Sequence, residues 1–137
     1  MRANVAVEPG DFEGVWQLSR RIEQAGGPAA VFSGHARWTR GADGLDHVED
    51  GQLRIAGHAP MHATRRYRWD NDLRVFFDDG RFFHAVPRHG GTATHFCAPD
   101  SYVAIYDFTG WPRFRVEWQV KGPRKDYRMI SDYRRGD

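Results

Sequence analysis

Two histidines and the chain's one cysteine are the residues best suited to chemistry. His95 and Cys97, in "ATHFC", share one side of an extended strand because side chains alternate with period two. His84, in "RFFHAV", joins them by hairpin arithmetic. If Asp79-Gly80 is a two-residue turn, Phe77 faces Phe82 and Val75 faces His84. A symmetric register across "PRHGGT" then sets His84 opposite His95 and Phe82 opposite Cys97. Imidazole and thiolate groups gathered in this way are zinc or haem-iron ligands by type, and a histidine beside a thiol can activate a cysteine nucleophile. The sequence shows no fourth ligand, no carboxylate placed to orient a ligating histidine, and no oxyanion device. The competing reading is structural: imidazoles hydrogen-bonded to Tyr102 or Tyr106 in a core of some polar character, beside a small buried thiol.

A second set is broader. In "MHATRRYRW" the residues Met61, Ala63, Arg65, Tyr67 and Trp69 lie on one side, and a "DND" loop places Trp69 opposite Leu73 and Tyr67 opposite Val75. Arg65 then points inward. A lone buried guanidinium is expensive, so it must meet a carboxylate, water or an anionic ligand, and Glu49 on the Leu45, His47, Glu49 face is one candidate partner. With Pro99-Asp100 as the next turn, Cys97 meets Tyr102 and His95 meets Ala104, and the same side continues through Tyr106 and Phe108. Tyr102, Tyr106, Trp118 and Tyr127 thus add polar tips to a lining that includes Trp69, Phe77 and Phe82. Such a mixture suits an amphipathic or aromatic ligand with an acidic or carbonyl head, where a purely structural core would use Phe and Leu. The "GPRKDYR" corner, with Arg124, Lys125 and Arg128, is either a solvated turn or an anion gate at the mouth.

These residues need strands to position them. The runs "VFSGHARWT", "MHATRRYRW", "LRVFF", "RFFHAV", "ATHFC", "YVAIYDF", "FRVEWQVK" and "KDYRMISDYR" alternate with period two. The clearest sets Phe114, Val116, Trp118 and Val120 against Arg113, Arg115, Glu117, Gln119 and Lys121. Between the runs lie "GADG", "DND", "DDG", "RHGG", "APDS", "TGWP" and "KGPR", which are turn chemistry short enough for antiparallel hairpins. The first run, "FEGVWQLSRRI", also fits a helical stripe, but Trp16, Leu18 and Ile22 keep the two-residue period and predict a strand, preceded by one helical turn around Pro9 to Phe12. A meander of about eight to ten strands leaves two edges unless it closes, so an up-and-down antiparallel barrel is the economical fold.

Composition bounds the rest. A chain of 137 residues is one domain's length, expected to be a single barrel over residues 1–137, and 14% aromatic residues favour a sheet core. The charges, 20 Lys and Arg against 18 Asp and Glu, form no basic block, so nucleic acid is not an expected partner. The lone Cys97 excludes an intrachain disulfide and, with no apolar run long enough for export or a membrane span, points to the cytoplasm.

Gly14-x-Trp16 on a first strand, followed by an antiparallel meander, resembles the calycin group of lipocalins, fatty-acid-binding proteins, avidins and nitrobindin-like barrels. The lipocalin resemblance implies that Trp16 closes the barrel base under an arginine from the last strand, Arg128 or Arg134. Arg65-x-Tyr67 resembles the Arg-x-Tyr pair with which fatty-acid-binding proteins hold a carboxylate, there on the last strand and here mid-chain. The series "FFDDGRFFH", "THFCAPDSYVAIYDF" and "WQVKGPRKDY" is similar to a family of small bacterial proteins of unknown function, over Phe12 to Arg134; that resemblance implies a calycin-like barrel and no activity.

The expectation is therefore an all-β, calycin-like barrel that binds a small amphipathic or aromatic molecule, with no metal, cofactor or catalytic residue assigned. The alternative is an enzyme, or a metal- or haem-dependent sensor, on His84, His95 and Cys97. A filled barrel that acts through a partner, or as a homodimer along an open edge, is the third reading.

Overall fold

A computed structural model describes residues 6–135. The chain enters through a 3-10 turn at Pro9–Phe12 and then forms ten strands: β1 (Gly14–Gln24), β2 (Ala30–Arg40), β3 (Gly44–Ile55), β4 (Met61–Asp70), β5 (Arg74–Phe77), β6 (Phe82–Ala85), β7 (Gly91–Cys97), β8 (Asp100–Asp107), β9 (Phe114–Lys121) and β10 (Asp126–Arg135). All pair antiparallel in one sheet of order β6-β5-β4-β3-β2-β1-β10-β9-β8-β7. The fold is an up-and-down, nearly closed barrel. First and last strands join, from Trp16 opposite Arg135 to Gln24 opposite Tyr127, so the two free edges fall in mid-chain, on β6 and β7. Alternation does what the sequence promised: on β9, Phe114, Val116 and Val120 are buried while Arg115, Gln119 and Lys121 are exposed. Gly34 and Gly51 face each other on the long β2–β3 pair, where a Cβ on Gly34 would lie 2.6 Å from Gly51 Cα; the missing side chains let the two backbones approach closely.

One end of the barrel is plugged. The 3-10 turn drives Phe12 into a cluster with Trp16, Trp38, Trp69, Phe108, Trp111 and Phe114, and Phe12 and Trp16 are wholly buried. Trp16 donates from Nε1 to the Phe12 carbonyl at 2.8 Å. The arginine over Trp16 is Arg135, not Arg128 or Arg134: its guanidinium carbon lies 3.9 Å from the ring centroid, and it donates to the carbonyls of Glu13 and Asp11. Gly14 makes room for it, with φ at +113° and space where a Cβ would come 2.9 Å from Arg135 Nη1. Arg128 instead pairs with Glu117 and Glu23 on the outer face.

Several expected registers shift. Asp70 accepts from the backbone N–H groups of Asp72 and Arg74, which lengthens the "DND" turn, so Trp69 pairs with Val75 and Tyr67 with Phe77. The β7–β8 turn centres on Ala98-Pro99, so Cys97 pairs with Asp100 and His95 with Tyr102. Both are slips of two residues and keep the inward face. At β5–β6 the slip is a single residue. Val75 meets His84 as expected, but Phe76 meets Phe82, and Phe83 is the extra residue of a β-bulge. Phe82, expected on the lining, therefore points outward at 49% exposed, and Phe83 takes the inward place. Finally, β6 and β7 form no ladder, so the expected pairings of His84 with His95 and of Phe82 with Cys97 do not exist as strand register.

Candidate functional site

The half of the barrel away from the aromatic plug encloses a cavity of about 310 Å³. β5 and β6 are only four residues long, so the wall is cut low beside the upper part of β4, and Arg65 sits at that lip. Of the residues expected on the lining, Arg65, Tyr67, Trp69, Phe77, His84 and His95 all border this space. So do Cys97, Tyr102, Tyr106, Trp118 and Tyr127; Phe82 does not. Phe83 completes an aromatic wall, stacked on Trp118 at 4.9 Å and 10° and on Phe77 at 4.4 Å and 23°.

The sequence reading missed the groups that hold the deep end. Arg20 of β1, 7% exposed, donates from Nε to Ser131 at 2.7 Å and from Nη2 to Glu49 Oε1 at 2.8 Å and to Tyr133 at 3.3 Å. Tyr133 donates to the other Glu49 oxygen at 2.6 Å. Glu49 was the candidate partner of Arg65, and the two do pair across β3–β4, but its carboxylate turns to Arg20. Burial alone would raise the pKa of Glu49, yet the Arg20 guanidinium beside it and the Tyr133 hydroxyl that donates to it hold it well below the ordinary carboxylate range. The signal for Arg20 was present: it falls on the Trp16, Leu18, Ile22 face of the first strand. His47 is fixed as well. The indole of Trp69 can only donate, so its 3.2 Å bond to His47 Nδ1 puts the imidazole proton on Nε2, which lies 3.2 Å from Glu49 but out of hydrogen-bonding line.

His84 closes the seam between the sheet's two ends. Its Nε2 meets the Tyr106 hydroxyl at 2.7 Å, and burial, followed by the nearby His95 and His47, pushes its pKa down to about 3. It is thus a neutral imidazole at pH 7. The structural partner anticipated for the histidines is realised here in Tyr106. His95 packs edge-on to Phe83 and Phe77, while Cys97 is an exposed rim thiol and not the small buried one. Among the described residues no three His, Cys, Asp or Glu side chains come together to hold a metal ion. At the "GPRKDYR" corner, Lys125 is engaged by Asp100 and the Tyr102 hydroxyl at 3.0 and 3.1 Å and Arg128 by its two glutamates, while Arg124 is exposed and has no acidic partner among the described residues.

Charge at the cavity is uneven. The lining holds Arg20, Arg65 and Arg81 against the single carboxylate of Glu49. Arg20 is matched by Glu49, and Arg81 by Asp79 at 2.7 Å; Arg65 has no acidic partner among the described residues. A larger outer groove of about 820 Å³ runs along β1, β2 and the loop before β9, but it is open to solvent, and Arg115 and Asp132 on its wall satisfy each other as an ion pair between neighbouring strands. The barrel interior is the better ligand site, because there a stacked aromatic wall and inward-facing polar groups converge. No helix among the described residues is long and apolar enough to cross a membrane.

A sequence model described as a family of unknown function, DUF6314, matches residues 12–135. No curated protein matches the sequence. Among solved structures, the S-type phycobiliprotein lyase CpeS from Guillardia theta is similar over 94% of this chain and 90% of that one, with a TM-score of 0.66 and 8% sequence identity. At that identity the likeness is one of fold.

Proposed function

This chain belongs to the family of unknown function DUF6314, a name that carries no activity, and we propose from its cavity that it binds a small aromatic or amphipathic molecule with an acidic head. One observation carries the reading: a stacked aromatic wall and an unpaired rim cation, Arg65, border the same enclosed space of about 310 Å³. Rings of the ligand lie against Phe77, Phe83 and Trp118, and the acid meets Arg65, with Tyr67, Tyr102 and Tyr127 orienting it. The likeness to CpeS supports a barrel able to serve such a role; no lyase step is inferred from it. The free and exposed Cys97 suits a reducing compartment such as the cytoplasm.

Titration calorimetry with 2-naphthoate tests this. Wild type should bind, and Arg65→Met should weaken binding about tenfold or more, the worth of one charge-assisted hydrogen bond. The thermal midpoint should stay within about 2 °C, because Arg65 is an exposed side chain. Unfolding of Arg65→Met would show a structural ion-pair member, and unchanged affinity would remove Arg65 from the site.

A further inference from the structure

Arg20 has bonding capacity that its own network leaves unused. Nε and Nη2 are taken by Ser131, Glu49 and Tyr133, whereas Nη1 has no hydrogen-bond partner among the described residues. Nor is Nη1 sealed in: the polar atoms without a partner that are closed off from all contact are Trp38 Nε1, His47 Nε2 and His84 Nδ1. Arg20 borders the cavity, and its guanidinium carbon lies 5.6 Å from the centroid of the Phe32 ring, which can take no conventional hydrogen bond from the unpartnered Nη1. The charge of this guanidinium is already matched by Glu49, which is 2% exposed and 2.8 Å away. A second anion brought to Nη1 would lie beside that buried carboxylate in a medium of low dielectric, where like charges repel strongly. A carbonyl, ether or ring nitrogen accepts from Nη1 without that repulsion.

We propose that Arg20 Nη1 is an inner subsite, and that the ligand is an aromatic monoanion: an acidic head at Arg65 and an uncharged hydrogen-bond acceptor at Arg20. The proposal rests on the ligand-binding reading above and adds what the far end of the molecule must be.

Three matched probes separate the two ideas: 2-naphthoate, 6-acetyl-2-naphthoate and naphthalene-2,6-dicarboxylate, titrated into the full chain at pH 7. The acetyl compound should bind about tenfold tighter than 2-naphthoate, as one hydrogen bond to a charged donor provides, and the dicarboxylate should be weakest. The infrared carbonyl band of the bound acetyl group should move to lower frequency. In Arg20→Lys, which keeps a cation beside Glu49 but removes the Nη1 edge, the affinity ratio of acetyl compound to 2-naphthoate should fall toward one and the band shift should vanish. Equal affinities, a preference for the dicarboxylate, or an acetyl preference that survives Arg20→Lys overturns the inner subsite while the ligand-binding reading stands. Binding of none of the three overturns that reading and the subsite with it. Should Arg20→Lys fail to fold, the wild-type ranking and the infrared band still decide.

Discussion

Arg20 and His84 solve opposite problems of burial. Arg20 stays charged inside the barrel because a carboxylate, a phenol and a serine hydroxyl meet it, and removing one member would strand the others. His84 instead gives up its charge: its pKa is pushed down to about 3, first by burial and then by His95 and His47, and the imidazole bonds to Tyr106. This makes folding pH-dependent with a definite sign. Below the ordinary histidine value of 6.5 an unfolded chain takes up a proton that the folded one refuses until about pH 3. Stability at His84 is therefore complete above pH 6.5 and falls with pH by up to about 1.4 kcal/mol per unit. Glu49, held low, adds the same direction at lower pH, its stabilisation present above 4.5 and lost as the pH drops further. Urea unfolding at pH 7 and pH 5 should show wild type losing about 2 kcal/mol more than His84→Gln over that interval. Parallel losses in the two proteins would mean that His84 is not the proton acceptor.

The bulge between β5 and β6 decides which phenylalanine builds the cavity wall. Phe83 packs within 4.4 Å of Phe77 and 4.9 Å of Trp118, measured between ring centroids, whereas Phe82 touches Phe76 edge-on from the outer face. Phe83→Ala should cost about 3 to 4 kcal/mol and abolish 2-naphthoate binding, and Phe82→Ser should cost about 1 kcal/mol or less and leave binding unchanged. Chemical denaturation with a binding assay on each variant checks both; the reverse order would return Phe82 to the interior. The pair also marks how far sequence reaches in a sheet. Period-two alternation is a local property, so strand existence, the Pro9–Phe12 turn and most inward faces were legible. Register is set elsewhere, by Asp70 bonding two backbone N–H groups and by the Phe83 bulge, and neither leaves a trace in hydrophobicity. Slips of two residues left Tyr67, Trp69, His95 and Cys97 on the expected side; the slip of one exchanged Phe82 for Phe83. β3 was visible only through Leu45, His47 and Glu49, because the rest of "LDHVEDGQLRI" is too polar to alternate cleanly.

At the scale of the whole barrel, stability and access are divided between two places. Joining β1 to β10 puts the first and last strands in the middle of a continuous ladder, over a base sealed by Phe12, Trp16 and Trp111, so a ligand has no route there. The cost falls on β6 and β7, each paired on one side only and held to each other by side chains, with Phe83 against His95 and His84 bonded to Tyr106 of β8. Contacts of that kind can part without breaking any backbone ladder, so this seam should open far more often than the rest of the molecule unfolds. The same strands supply Phe83, His84, His95 and Cys97 to the cavity, so a ligand lying inside touches both sides of the seam and ties them together. Native-state hydrogen exchange should therefore find the ladder amides of β1 and β10 exchanging only by global unfolding, and those of β6 and β7 exchanging at least about a hundredfold faster. Saturating 2-naphthoate should slow β6 and β7 more than β1 and β10. Uniform protection across all four strands, or ligand protection confined to β1 and β10, would place neither the weak point nor the entry route at this seam.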